Sequence, residues 1–220
     1  MVMQSARLLG VLFLAVASAA GLVPAFAQGS LDEKIRVEAA PGEFSIGRPD
    51  APLTLVEFTD YQCPYCRRFH MTSFDEIRKK YIDTGKLRYV TRDFPLEFHE
   101  HALRAAMTAR CAAEQGRFWE MRHVMIVNAN RLRPSDIAGY AADLKLDNTR
   151  LDACVASGKY RPDIERDIAE GAFAGVSGTP SFVLGRTEKD AVVGAKIVGA
   201  QPYATFEARI NALLKGLPPA

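Results

Sequence analysis

Leu53-Thr54-Leu55-Val56-Glu57-Phe58 is a short, β-branched and almost continuously apolar run, and it gives way within a few residues to Cys63-Pro64-Tyr65-Cys66. Such a run is a strand covered on both faces. A helical stripe follows through Phe69, Phe74, Ile77 and Tyr81, ends near Gly85, and leads into a second strand at Leu87 to Thr91. Strand, helix and strand in this order predict a right-handed β-α-β unit with parallel pairing, so the chain is read as α/β.

From Phe98 to about Gly175 the pattern is helical only. Leu103, Met107 and Cys111 recur every fourth residue; Phe118, Met121 and Met125 make a second stripe; Ile137, Tyr140, Ala141 and Leu144 make a third, with Ser135 as its cap. Leu151, Cys154 and Val155 line a short helix that Gly158 terminates, and Ile164 and Ile168 begin one more. Val176-Ser177-Gly178-Thr179-Pro180 then turns into a strand at Ser181 to Leu184, with another near Lys196 to Val198 and a closing helix through Phe206, Ile210, Leu213 and Leu214. A two-stranded sheet does not stand alone, so residues 51–97 and 176–220 are expected to form one domain interrupted by a helical insertion at 98–175. Gln28 to Asp50 reads as a lead-in with at most a short helix and an edge strand around Phe44 and Ile46.

Arg7 is the sole charge in residues 1–27, where an apolar stretch from Leu8 to Val23 precedes Ala25-Phe26-Ala27. That pattern is expected of a cleaved secretory signal peptide. The stretch is shorter than the ~20 residues that span a bilayer, which weighs against an uncleaved anchor, and no later stretch of the sequence is long and apolar enough to span a membrane. A periplasmic, oxidising compartment is the expected destination. Twenty-eight Lys and Arg stand against 26 Asp and Glu, and no basic run is dense enough to track phosphates, so nucleic acid is not an expected partner. The apolar share of 48% excludes global disorder.

Two of the four cysteines sit at a strand-to-helix junction. Pro64 suits the first helical position, which puts Cys63 at the N-cap beside free backbone N–H groups. Those donors and the helix dipole favour a thiolate, making Cys63 the expected nucleophile and a good leaving group. Cys66, one turn on, is placed to attack a mixed disulfide on Cys63 or to pair with it. The alternatives are half of a zinc site or a purely structural bridge; no second closely spaced cysteine pair exists to complete a zinc site. Glu57 interrupts the apolar strand. Either it points inward beneath the helix, where burial would raise its pKa and let it exchange a proton with Cys66, or it is a solvated group at a strand end. Thr179-Pro180 opens the returning strand; local sequence favours a trans bond, while a cis bond would free the Thr179 backbone to pair with an extended substrate. His99 and His101, with His70 or His123, do not make a convincing metal site, and Phe118, Trp119 and Met121 read as core rather than a cofactor box. Neither metal nor organic cofactor is expected.

Taken together, these residues resemble the DsbA-like thiol:disulfide oxidoreductases of the thioredoxin superfamily. The resemblance rests on Val56-Glu57-Phe58-Thr59-Asp60-Tyr61-Gln62 leading into the CPYC motif, Arg92-Asp93-Phe94-Pro95-Leu96, Glu114 through Met121, Val176 through Pro180 and Gly199-Ala200-Gln201-Pro202. It implies a thioredoxin fold with an inserted helical subdomain, with Cys63 and Cys66 as the redox-active disulfide and Pro64, Tyr65 and Thr179 supporting the site. It also implies that Glu57 is the family's buried acid and that Pro180 is its cis-proline, reversing the local expectation. In relatives that share the second pair, residues matching Cys111 and Cys154 form a structural disulfide. Oxidising compartment and even cysteine count agree with that pairing, against two buried free thiols, and closing so long a loop contributes roughly 3 to 4 kcal/mol in the chain-entropy model. The segment Arg186 to Gly194 departs from the group by making the last hairpin loop longer than a tight turn.

The function so implied is donation of the Cys63–Cys66 disulfide to reduced client proteins, with a membrane reoxidase of the DsbB type as partner and a monomer as the expected state. A disulfide isomerase or reductase kept reduced by a membrane electron donor is the alternative. Gln28 to Asp50 is too short for the added dimerisation domain such isomerases carry. A non-catalytic metal or client-holding module is the third possibility and lacks the ligands it needs.

Overall fold

The computed structural model describes residues 34–39, 42 and 44–217. The signal peptide expected over 1–27 lies outside the described residues. Six strands form one mixed sheet: β1 (Ile35–Glu38), β2 (Ser45–Ile46), β3 (Leu53–Thr59), β4 (Leu87–Asp93), β5 (Ser181–Thr187) and β6 (Ala191–Val198). Their order across the sheet is β1-β6-β5-β3-β4-β2. The expected parallel β-α-β unit is present, with Leu53 opposite Leu87 and Glu57 opposite Thr91, while β5 runs antiparallel to β3 on its other side. β3 is therefore central and buried along its whole length.

Side-chain alternation assigns the two faces of β3. Leu53 and Leu55 point to one side, where they pack with Phe182, Phe69, Ile77, Tyr81, Phe206 and Ile210. Apart from Phe182 on β5 and Tyr81 in the turns that follow Ile77, this layer comes from α1 (Pro64–Thr72), α2 (Phe74–Ile77) and α8 (Tyr203–Lys215). Val56 and Phe58 point to the other side and pack with Val90, Val183, Ala174 and Val176. Glu57, two residues beyond Leu55, thus lies on the α1 side. The insertion supplies α3 (Ala102–Ala113), α4 (Phe118–Val127), α5 (Pro134–Asp143), α6 (Asn148–Ser157) and α7 (Arg161–Phe173). Its helices share a core of their own around Met121, Met125, Ile137, Leu151 and Ile164.

Arg110 on α3 joins that insertion to the sheet. Its Nε lies 2.6 Å from Asp93 Oδ2 on β4, and its guanidinium also bonds Asp167 on α7. Burial and the neighbouring Asp93 raise Asp167 to about 6, although Arg92 and Arg110 both face it and oppose the rise. α7 approaches the sheet closely because Gly171 has no side chain: a Cβ there would lie 2.8 Å from the Phe94 ring and 2.9 Å from Phe58.

Four expectations need correction. The lead-in contributes two edge strands rather than one, since β1 pairs with β6 and β2 with β4. It is held by the fully buried Arg88, which donates to the carbonyls of Ala39 and Pro49. The helix after Cys63 is not continuous to Gly85; it breaks at Ser73 and widens into π-type turns over Arg78–Ile82. Ser135 does not cap α5, because Pro134 takes the first helical position and Arg133 precedes it. The supposed long loop from Arg186 to Gly194 is largely strand, and only residues 188–190 turn, closed by the Glu188 N–H on Ala191 O at 2.8 Å. Gly185 and Gly194 sit opposite each other in this pair. A Cβ on either would come within 2.1 Å of the facing backbone.

Candidate active site

Cys63 is the N-cap of α1 and Pro64 occupies the first helical position, so the first turn leaves N–H groups without helical partners around the sulfur. Cys63 Sγ lies 3.3 Å from the carbonyl oxygen of Thr179, whose peptide bond to Pro180 is cis. The two active-site cysteines are free thiols in this structure, and both are buried.

Their surroundings push them in opposite directions. A hydrogen bond from the Cys66 thiol lowers the Cys63 pKa; burial opposes this, and bonds from Thr179 and from the Cys66 and Tyr65 backbone add to it, leaving Cys63 at about 6 against an ordinary 9.0. Cys66 is raised well above its ordinary value by burial, by its bond to Cys63 and by the negative charge of Glu57. One sulfur is thus a thiolate at neutral pH while its partner holds its proton. That division suits a dithiol in which Cys63 meets the outside and Cys66 works beneath it.

Glu57 has no exposed surface, which removes the solvated strand-end alternative. Its expected rise in pKa is also overturned. Burial does push it up, but His70, Arg122 and Tyr89 outweigh that and hold it at about 2. His70 Nε2 stands 3.0 Å and 3.2 Å from the two carboxylate oxygens, Arg122 Nη2 is 3.1 Å from Oε2, and the Tyr89 hydroxyl donates to the same oxygen. Arg122 also donates to the Tyr89 hydroxyl at 2.7 Å. None of these three partners was singled out as an active-site group from sequence. They come from α1, β4 and α4, and only the fold brings them to one carboxylate.

A second group missing from the sequence reading is Asp60, buried at the end of β3. Its backbone N–H points to Cys66 Sγ at 3.5 Å, while its carboxylate accepts from the N–H groups of Gln62 and Leu96 and pairs with His99 Nδ1 at 2.8 Å. The loop before Cys63 is thereby fixed to the segment after β4. His99 is occupied by that pair. Among the described residues the one cluster of candidate metal ligands is Cys111, Glu114 and Cys154. Its two sulfurs form a disulfide of 2.04 Å, with Cα atoms 5.9 Å apart, linking α3 to α6.

Beside Cys63 a groove of about 730 Å³ is lined by Tyr65, Arg68, Thr179, Gln201 and Tyr203 among others. Tyr65 is 55% exposed at its mouth, with Arg68 stacked on the ring at 5.0 Å. Concave, partly apolar ground next to a reactive sulfur is suited to an extended peptide segment.

Comparisons with known proteins agree with this geometry. The Thioredoxin family model (Thioredoxin_4) matches residues 39–210. Wolbachia pipientis alpha-DsbA1 superposes with a TM-score of 0.69 at 25% identity, covering 78% of this chain and 90% of that one. A thioredoxin-like oxidoreductase from Silicibacter pomeroyi gives 0.63 at 25% identity over 79% and 92%. BdbD from Bacillus subtilis gives 0.68 over 83% and 100%, and its 22% identity speaks to the fold alone. Curated relatives named Na(+)/H(+) antiporter NhaA match at 37% identity over 139 residues in Salinispora tropica and 35% over 171 residues in Herminiimonas arsenicoxydans. The chain spans only 21% and 25% of their lengths, so their transport activity is not carried over. Among the described residues no helix is long and apolar enough to cross a membrane. By its family model the chain belongs to the Thioredoxin family, and its fold is similar to that of the DsbA proteins.

Proposed function

We propose that this protein catalyses thiol–disulfide exchange outside the cytoplasm, donating a Cys63–Cys66 disulfide to folding client proteins. The observation that carries the proposal is the opposed tuning of the two thiols, with Cys63 at about 6 and Cys66 well above its ordinary value. A client thiolate attacks Cys63 Sγ, the Cys63–Cys66 bond breaks, and its electron pair leaves on Cys66. A second client thiolate then attacks the client sulfur of the mixed disulfide and releases Cys63. The good leaving group is the sulfur with the lower pKa, so client release is favoured, and a stabilised thiolate in the reduced enzyme makes its disulfide oxidising. Tyr65, Arg68 and Thr179 border the groove in which the client segment lies. Regeneration needs an oxidant, for which a membrane reoxidase of the DsbB type is the proposed partner, and the leader over residues 1–27 supplies the proposed route to the periplasm.

Trapping separates the roles of the two sulfurs. Cys66→Ser is expected to accumulate a client mixed disulfide through Cys63, and Cys63→Ser to form none and to lose turnover while remaining folded. Retained turnover in Cys63→Ser would show that the nucleophile is misassigned.

A further inference from the structure

Exchange at Cys63 leaves an unsolved proton problem one turn down the helix. Cys66 departs as a thiolate in a buried site, beside a Glu57 that is already ionised and so has no proton to give at neutral pH. Burial and the adjacent negative charge make that thiolate costly, so a proton has to reach it.

His70 is placed to bring one. It lies four residues after Cys66, and both belong to the buried face of α1. Its Nε2 meets a carboxylate and a guanidinium at once: Glu57 oxygens at 3.0 Å and 3.2 Å, and Arg122 Nη2 at 3.2 Å. A neutral ring with a bare Nε2 accepts from Arg122, and an imidazolium with Nε2–H donates to Glu57. Both protonation states therefore have a hydrogen-bond partner without movement of the ring. The charged and titratable groups around it are Glu57 on β3, Tyr89 on β4, Arg122 and His123 on α4, and Cys66 on its own helix. The remaining walls are the rings of Phe69 and Phe74. Burial, opposed by Glu57 and aided by Arg122, keeps His70 below its ordinary 6.5, so the ring rests neutral.

We propose that His70 is the relay through which Cys66 gains and loses its proton, with Glu57 as the bridge and Arg122 holding both in place. When the Cys63–Cys66 bond breaks, the new thiolate and Glu57 together favour an imidazolium, and His70 takes a proton from solvent. Its Nε2 proton passes to Glu57 and from Glu57 to Cys66 Sγ, leaving a thiol, a carboxylate and a neutral ring that accepts from Arg122. Reoxidation runs the same transfers backwards. The relay rests on the exchange reaction proposed above.

Two measurements test it on the full protein. The ring nitrogens of His70, followed by NMR in the oxidised enzyme and in Cys63→Ala, where Cys66 is free and has no disulfide to form, are expected to show in Cys63→Ala an added titration step at high pH, as Cys66 ionises. An identical titration in both forms overturns the relay. His70→Gln keeps a hydrogen-bonding side chain that carries no proton, and is expected to slow client oxidation roughly a hundredfold and to remove an inflection from its pH profile. An unchanged rate and profile in that variant also overturns the relay. Wild-type enzyme that oxidises no client would overturn the exchange reading and the relay with it, whereas active wild type with the same His70 titration in both forms removes the relay alone.

Discussion

Cys63 and Cys66 have the same side chain and opposite tasks, and the difference arises in what each sulfur meets. Cys63 is bonded by the Cys66 thiol, Thr179 and N–H groups of the first turn, whereas Cys66 faces burial and a fixed carboxylate. Because the Cys66 hydrogen bond is the largest single influence on Cys63, Cys66→Ala is expected to raise the Cys63 titration clearly above its wild-type position near 6. Thiolate absorbance against pH measures this, and an unshifted curve would mean that the helix end alone sets the acidity. The same shift has a consequence for stability. A folded pKa near 6 against an ordinary 9.0 contributes stability that is complete above about 9 and is lost as pH falls through 6. Only the reduced protein carries that thiolate, so its stability relative to the oxidised form rises from pH 6 towards 9.

At the level of elements, the start of α1 presents the cysteines, β3 supplies Glu57 and leads directly into Asp60, and the insertion reaches under the site with Arg122 from α4. The Cys111–Cys154 bridge lies within that insertion, between α3 and α6, with 43 residues of sequence separation. Replacing both cysteines by Ala is expected to cost roughly 3 to 4 kcal/mol in urea unfolding and to leave the Cys63 titration in place. A loss below about 1 kcal/mol would mean that the helical core holds the loop closed unaided. The elements also show what a sequence discloses. Leu53 to Phe58 and the CPYC turn announce themselves through local pattern, and Glu57 stands out as a charge inside an apolar run. His70, Tyr89 and Arg122 carry no such mark, because a histidine on a helix, a tyrosine in a strand and an arginine in an insertion are ordinary until the fold assembles them. Hidden in the same way are the extensions of β5 and β6 through Arg186 to Gly194, since Gly185 and Gly194 are required by close backbone approach across the pair, which only the paired strands reveal. The charge that reverses the expected pKa of Glu57 is likewise non-local.

Across the whole molecule, the sheet brings its most reactive group to one end, where β3 passes into α1 and the Thr179-Pro180 turn enters β5. A formal net charge of only +2 imposes no strong field of either sign on approaching chains, which fits an enzyme with many different clients. Net direction is the property on which the account stands, because oxidase, isomerase and reductase share this fold and differ in the poise of one disulfide. The equilibrium potential of Cys63–Cys66 against a glutathione buffer is therefore the most direct test. The stabilised Cys63 thiolate predicts a value more positive than about −180 mV together with stoichiometric oxidation of a reduced client; a value near about −270 mV with no client oxidation would contradict it.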